Sequence, residues 1–254
     1  MILKKHDFKG KLIVVEGIDG SGKSTQIDLL YKYLQSQGNS VYFSEWNSSE
    51  LVRSTTKRAK EEKSFTPTTF SLLQATDFAA RWETYMLPLL KAGVIVLADR
   101  YIFTAFARDV SRGVAPTWVR DVYSFAPLPD MAFYFKVPLD VAVERITSSR
   151  AKIKYYEAGM DLGLSDNKIS SFRLFQQRII NEYDAMIDEF GLTVVDGALP
   201  VQKQQKLMRQ LVRKVLEGWE GLPNPERLYA SRKKAPRASA QKSTASAKEG
   251  KEKK

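Results

Sequence analysis

Lys11-Leu-Ile-Val-Val-Glu-Gly-Ile-Asp-Gly-Ser-Gly-Lys-Ser-Thr25 decides the fold. Gly17 to Ser24 fit the G-x-x-x-x-G-K-[ST] pattern of a phosphate-binding loop. The β-branched run before it reads as a buried parallel strand. The segment Thr25 to Gln37 sets Ile27, Leu29, Leu30, Tyr33 and Leu34 at helical spacing. Strand, glycine loop and helix thus stand in the order such a site needs. Gly17, Gly20 and Gly22 allow backbone angles and close approaches that a Cβ would obstruct, so N–H groups along Gly17, Ile18, Asp19, Gly20, Ser21, Gly22, Lys23, Ser24 and Thr25 can turn inward on ATP phosphates. The helix N-terminus adds partial positive charge. Lys23 is expected to reach the β- and γ-phosphates, and the Ser24 hydroxyl to ligate Mg²⁺.

Further along, Val41-Tyr-Phe43, Val94 to Ala98, Met131 to Val137 and Thr193-Val-Val195 read as four more strands. Helical patterns fall at Leu51 to Lys63, Thr68 to Lys91, Leu139 to Ser149, Ser170 to Phe190 and Val201 to Trp219. Pro88 is expected to kink the last turns of the second of these, and Gly93 to close it. Apolar strands alternating with amphipathic helices predict an α/β fold. It is the three-layer P-loop NTPase arrangement, a five-stranded parallel sheet with helices on both faces and ligands at the carboxyl ends of the strands.

The chain of 254 residues suits one sizeable domain over 1–230, and it contains no cysteine. It shows no apolar run of membrane-spanning length and no signal segment, so a cytoplasmic protein without membrane contact is expected. Seven of the eleven net positive charges lie in 231–254. That Lys-, Arg-, Ala- and Ser-rich tail cannot bury enough surface to order itself. It reads as a solubilising extension or as a source of weak polyanion attraction.

Two further clusters carry charge. Asp99-Arg100-Tyr101 follows the third strand at the ligand edge of the sheet. There Asp99 is placed to hold Mg²⁺ and Arg100 to bind phosphate bidentately, unless the two merely pair and cap the strand. A basic run, Arg150-Ala-Lys-Ile-Lys154, opens a polar stretch to about residue 168. It suits a lid that closes over phosphates, or an exposed helix end.

Together these residues resemble the thymidylate kinase family of P-loop nucleoside monophosphate kinases. The likeness runs from Lys11 to Gly197. It rests on Glu16 to Gln26, Phe78-Ala-Ala-Arg81-Trp82, Asp99-Arg100-Tyr101 and Tyr156-Glu157. It implies Mg²⁺-dependent transfer of the ATP γ-phosphoryl group to a nucleoside monophosphate, dTMP to dTDP first among them, by a homodimer. In that likeness Lys23, Asp19, Asp99, Arg100 and a lid arginine are catalytic. Asp19 lies near the acceptor's sugar and phosphate, Arg81 contacts its base, and Arg100 its phosphate, with Phe78 and Tyr101 beside them. Gly20 leaves no basic residue inside the loop, which points to Arg150 as the lid arginine, with Lys152 and Lys154 as substitutes.

Two positions depart from the family pattern. Asp77 stands where a phenylalanine stacks on thymine, so base choice is expected to fall to hydrogen bonds from Asp77 and Arg81. Glu45-Trp-Asn-Ser48 replaces an Arg-Glu-Pro turn, which leaves Arg53 as the candidate phosphate arginine unless it serves only on a helix surface. Another phosphorylated acceptor, polyphosphate included, and a non-catalytic NTP-binding switch are the competing readings. The chain has no Asn-Lys-x-Asp guanine motif.

Overall fold

The computed structural model describes residues 3–149 and 153–224. The expectations for Arg150, Lys152 and the 231–254 tail therefore lie outside the described residues. The five strands are β1 (Lys11–Gly17), β2 (Val41–Glu45), β3 (Ile95–Asp99), β4 (Met131–Lys136) and β5 (Thr193–Asp196). All neighbours are parallel, as the strand patterns predict, and the order is β2-β3-β1-β4-β5.

Residues alternate between the two faces of the sheet, and each face feeds its own core. Leu12, Val14, Val96, Ala98 and Tyr134 pack with Phe78, Phe103, Phe175 and Ile179 on one side. Ile13, Val15, Leu97, Phe133 and Phe135 pack with Ile27, Leu30, Met208 and Val212 on the other. Burying each such side chain contributes about 1.5–3 kcal/mol, so a sheet apolar on both faces is stable only with helices on both. Helices α1 (Lys23–Ser36) and α9 (Val201–Val215) cover the second face.

The first face is covered mainly by α3 (Pro67–Arg81), α5 (Ile102–Val110), α6 (Pro116–Val122) and α8 (Lys168–Phe190). The surface helix α2 (Glu50–Glu61), the short α4 (Leu87–Lys91) and α7 (Leu139–Ser149) complete the set. Thr66 caps α3 in a reciprocal bond with Thr69, and Pro67 occupies its first turn. The kink expected near Pro88 takes the form of one π turn, Trp82–Met86, between α3 and α4. Proline has no N–H to give and its ring crowds the carbonyl one turn back; the wider turn makes room for it. Gly93 ends the run at φ 89°.

Candidate active site

The loop after β1 is shaped by what lies behind it. A Cβ on Gly20 would sit 2.5 Å from the Ala142 carbonyl oxygen on α7, and its φ of 81° is itself a glycine conformation. Arg145 on α7 donates to the carbonyl oxygens of Gly20 and Ser21 at 3.4 Å and of Gly197 at 3.0 Å. These bonds take up carbonyls on the outer side of the loop. Gly22 is the left-handed N-cap of α1 and no side chain caps that helix, so its leading N–H groups remain for a ligand. Ile18 and Ser21 are buried, which limits their share to the backbone, while Ser24 and Thr25 are exposed at the helix start.

Asp19 joins this loop to α5. Its carboxylate accepts Arg100 Nη2 at 2.5 Å and Arg108 Nη2 at 2.6 Å. Burial would raise its pKa, but Arg108, Arg100 and Lys23 outweigh that and hold the carboxyl well below the usual carboxylate range. Burial, together with the nearby Arg100 guanidinium, brings the Lys23 ammonium down to about 8 against the opposing pull of Asp99 and Asp19. Arg100 stands at φ 74°, a strained setting for a side chain that long. It is held by bonds to the carbonyls of Val15 (from its N–H, 2.9 Å) and Gly17 (from Nη1, 3.3 Å).

Glu16 locks this turn from beneath. Fully buried, it accepts the Tyr101 N–H, the Thr104 hydroxyl and the Tyr183 hydroxyl, each at 2.7 Å. Burial pushes its carboxyl up. Those bonds fix the start of α5, whose N-cap Tyr101 makes no side-chain capping bond.

Above the strand ends lies a cavity of about 470 Å³. Asp19, Lys23, Ser24, Asp99, Arg100 and Arg108 line one end, and Trp46, Phe70, Gln74, Asp109, Arg112 and Tyr156 the other. Lys60, Lys154 and Tyr155 also border it. No group of three or more candidate metal ligands occurs among the described residues. Asp99 Oδ1 is buried without a protein partner, and Ser24 stands exposed at the head of α1. One carboxylate and one hydroxyl fit Mg²⁺, which keeps several waters and takes further oxygens from phosphate.

The structure brings Asp19, Lys23, Ser24, Asp99 and Arg100 to one cavity wall but places the expected base readers elsewhere. Asp77 and Arg81 form a buried pair, Nε to Oδ2 at 2.8 Å. Asp77 also accepts the Ser49 N–H at 2.8 Å, at the start of α2, and Arg81 donates to Ser44 Oγ at 2.8 Å. The Arg81 guanidinium lies over Trp46 and Phe78, 5.4 and 5.5 Å from the ring centroids. Both residues thus tie α3 to β2 and α2, behind the cavity wall. Phe78 is fully buried in the core, and Tyr101 is too, its hydroxyl donating to the Pro127 carbonyl at 3.0 Å. Arg53 is exposed and pairs with Glu50 at 2.7 Å.

Arg108, Arg112, Gln74 and Asp109 are among the cavity residues that the sequence reading missed. The available signal was the Arg-x-x-x-Arg spacing of 108 and 112, since α5, which carries Arg108 and Asp109, is buried nearly all round.

A family model described as thymidylate kinase matches residues 15–206. A "Probable thymidylate kinase 2" of Saccharolobus solfataricus is 42% identical over 211 residues, covering 83% of this chain and 99% of the relative. A "Probable thymidylate kinase" of Pyrococcus horikoshii is 32% identical over 190 residues, 71% of this chain and 92% of that one. A "Thymidylate kinase" of Desulfotalea psychrophila is 35% identical over 144 residues, 56% and 71% of the two chains. With a phosphate loop, a converging set of cations and matches of this extent, the chain belongs to the thymidylate kinase family and is a nucleoside monophosphate kinase.

Proposed function

We propose that this chain transfers the γ-phosphoryl group of ATP to dTMP, giving ADP and dTDP. The observation that carries the reading is the cluster of Lys23, Arg100 and Arg108 around Asp19, set on the cavity wall beside the uncapped start of α1. Phosphoryl transfer needs positioning and positive charge more than covalent help from the protein. In the transfer, the bond from the γ-phosphorus to the ADP oxygen breaks as one to a dTMP phosphate oxygen forms. The loop N–H groups and Lys23 hold the donor phosphates, while Arg100 and Arg108 draw in the acceptor phosphate that competes with Asp19 for them. Ser24 and Asp99 are the residues that would hold Mg²⁺, which would supply charge neutralisation of the donor phosphates.

Lys154 is the lid cation that borders the cavity among the described residues. The exposed Leu72 and Tyr85 on the outer side of the α3 region suit the homodimer that the family likeness implies. No helix among the described residues is long and apolar enough to cross a membrane, and we place the reaction in the cytoplasm.

Titrating the purified chain with dTMP, other nucleoside monophosphates and short polyphosphate, with ADP release as the readout, tests the reading. Release driven by dTMP is expected. Release driven only by polyphosphate, or by no acceptor, would overturn it.

A further inference from the structure

Gln74 is 4% exposed and lies on the cavity wall. Its carboxamide oxygen accepts the Trp46 indole N–H at 2.7 Å. An indole nitrogen can only donate, so the amide cannot turn over, and Trp46 fixes which end of it is the donor. That donor, Nε2, is buried and has no hydrogen-bond partner among the described residues. A buried donor without a partner is costly, and on the cavity wall a ligand can supply the acceptor it lacks.

A matching acceptor stands on the facing helix. Ser71, three residues before Gln74 and on the same side of α3, donates to Asp109 Oδ2 at 2.6 Å. The bond ties α3 to α5, and Asp109 and Gln74 both line the cavity. A carboxylate that has accepted one proton donor keeps lone pairs for another. Stacking at this end is already taken. Phe70 carries Tyr156 on its ring, with centroids 5.5 Å apart and planes at 17°, and the Arg112 guanidinium lies 4.8 Å from the same centroid.

We propose that Gln74 and Asp109 read the edge of the acceptor base, with Trp46 as the residue that positions the amide. The Gln74 NH₂ donates to a ring carbonyl oxygen, and Asp109 accepts the neighbouring ring N–H. This donor and acceptor pair fits the imide edge of a keto-pyrimidine, thymine or uracil. Cytosine offers an amino group and a bare ring nitrogen there, so both contacts turn repulsive. Sites that hydrogen-bond a substrate reject a mismatched analogue far more strongly than apolar pockets do. The proposal rests on the kinase reading above and names the residues that set its acceptor class.

The test compares wild type, the double variant Gln74→Glu/Asp109→Asn, Trp46→Phe and Gln74→Leu. It measures kcat/KM for dTMP, dUMP and dCMP together with calorimetric binding of each. Wild type is expected to prefer dTMP and dUMP over dCMP by roughly 100-fold or more. The double variant reverses the pattern, with an acceptor at 74 and a donor at 109, and is expected to prefer dCMP while the KM for ATP stays within about threefold. Trp46→Phe frees the amide to turn over and is expected to narrow the wild-type gap about tenfold. Should the double variant fail to fold, Gln74→Leu decides, with dTMP binding expected to weaken about tenfold. Unchanged ranking in the double variant, or unchanged dTMP binding in Gln74→Leu, overturns the proposal. If wild type binds dTMP with this ranking but transfers nothing to it, the kinase reading fails and the base reading stands.

Discussion

Replacing Arg81 separates a packing role from a substrate role. Arg81 is 2% exposed, and its guanidinium bonds Asp77 and Ser44 and covers two aromatic rings. Arg81→Ala leaves the Asp77 carboxylate buried with the Ser49 N–H as its remaining bond. Breaking a buried pair by removing one partner costs about 3–5 kcal/mol. For a domain of this size each kcal/mol lowers Tm by about 2–4 °C, so a cost of about 4 kcal/mol corresponds to about 8–16 °C. Asp77→Leu/Arg81→Met removes both charges and fills the space. It is expected to recover more than half of that loss, but not all of it, because the Ser49 N–H loses its acceptor. Calorimetry and steady-state kinetics on the same preparations provide the assay, and the double variant is expected to keep its KM for dTMP within about threefold of wild type. A tenfold or larger rise in that KM with little change in Tm would refute the packing assignment and return Arg81 to the acceptor.

Three other outcomes follow from the site. Asp99→Asn removes the charge expected to face Mg²⁺, so the Mg²⁺ concentration for half-maximal activity is expected to rise at least about tenfold; an unchanged requirement would make Asp99 a strand cap. The Lys23 pKa of about 8 predicts that kcat/KM for ATP falls as pH rises through that value, because the ammonium loses the proton that holds the phosphates. The profile of kcat is expected to hold to higher pH, since bound phosphate favours the charged form, and a flat kcat/KM from pH 7 to 9.5 would contradict this. Glu16→Ala removes the carboxylate acceptor of three buried donors and opens a void, for an expected loss of about 4 kcal/mol in urea unfolding, and a loss below about 1 kcal/mol would show that the turn holds itself.

The parts legible in the sequence are those whose physics is local. Leu12 to Val15, Val94 to Ala98 and Met131 to Phe135 are apolar without alternation because both faces of the sheet are covered, and that pattern gives strand and sheet type together. The phosphate loop is legible because Gly17, Gly20 and Gly22 are required by backbone angle and by contact with α7. Helix α5 was not, since Ile102 to Ala107 are buried on every side and leave no polar stripe to count. Asp77 and Arg81 show why spacing alone misleads. An i, i+4 carboxylate and guanidinium read the same whether they face a ligand or a core, and only the approach of Ser44, Ser49 and Trp46 from distant segments decides. Gln74 and Asp109 depend in the same way on the meeting of α3 and α5.

The most direct measurement follows the phosphoryl group itself. Purified chain is incubated with γ-labelled ATP, Mg²⁺ and dTMP, and the products are separated by chromatography, with Lys23→Ala run in parallel. Label in dTDP from the wild type, and less than about a tenth of that rate from the variant, is the expected result, since charge and positioning supply most of the acceleration. Label recovered only as inorganic phosphate, or equal labelling of dTDP by the Lys23→Ala variant, would contradict the account.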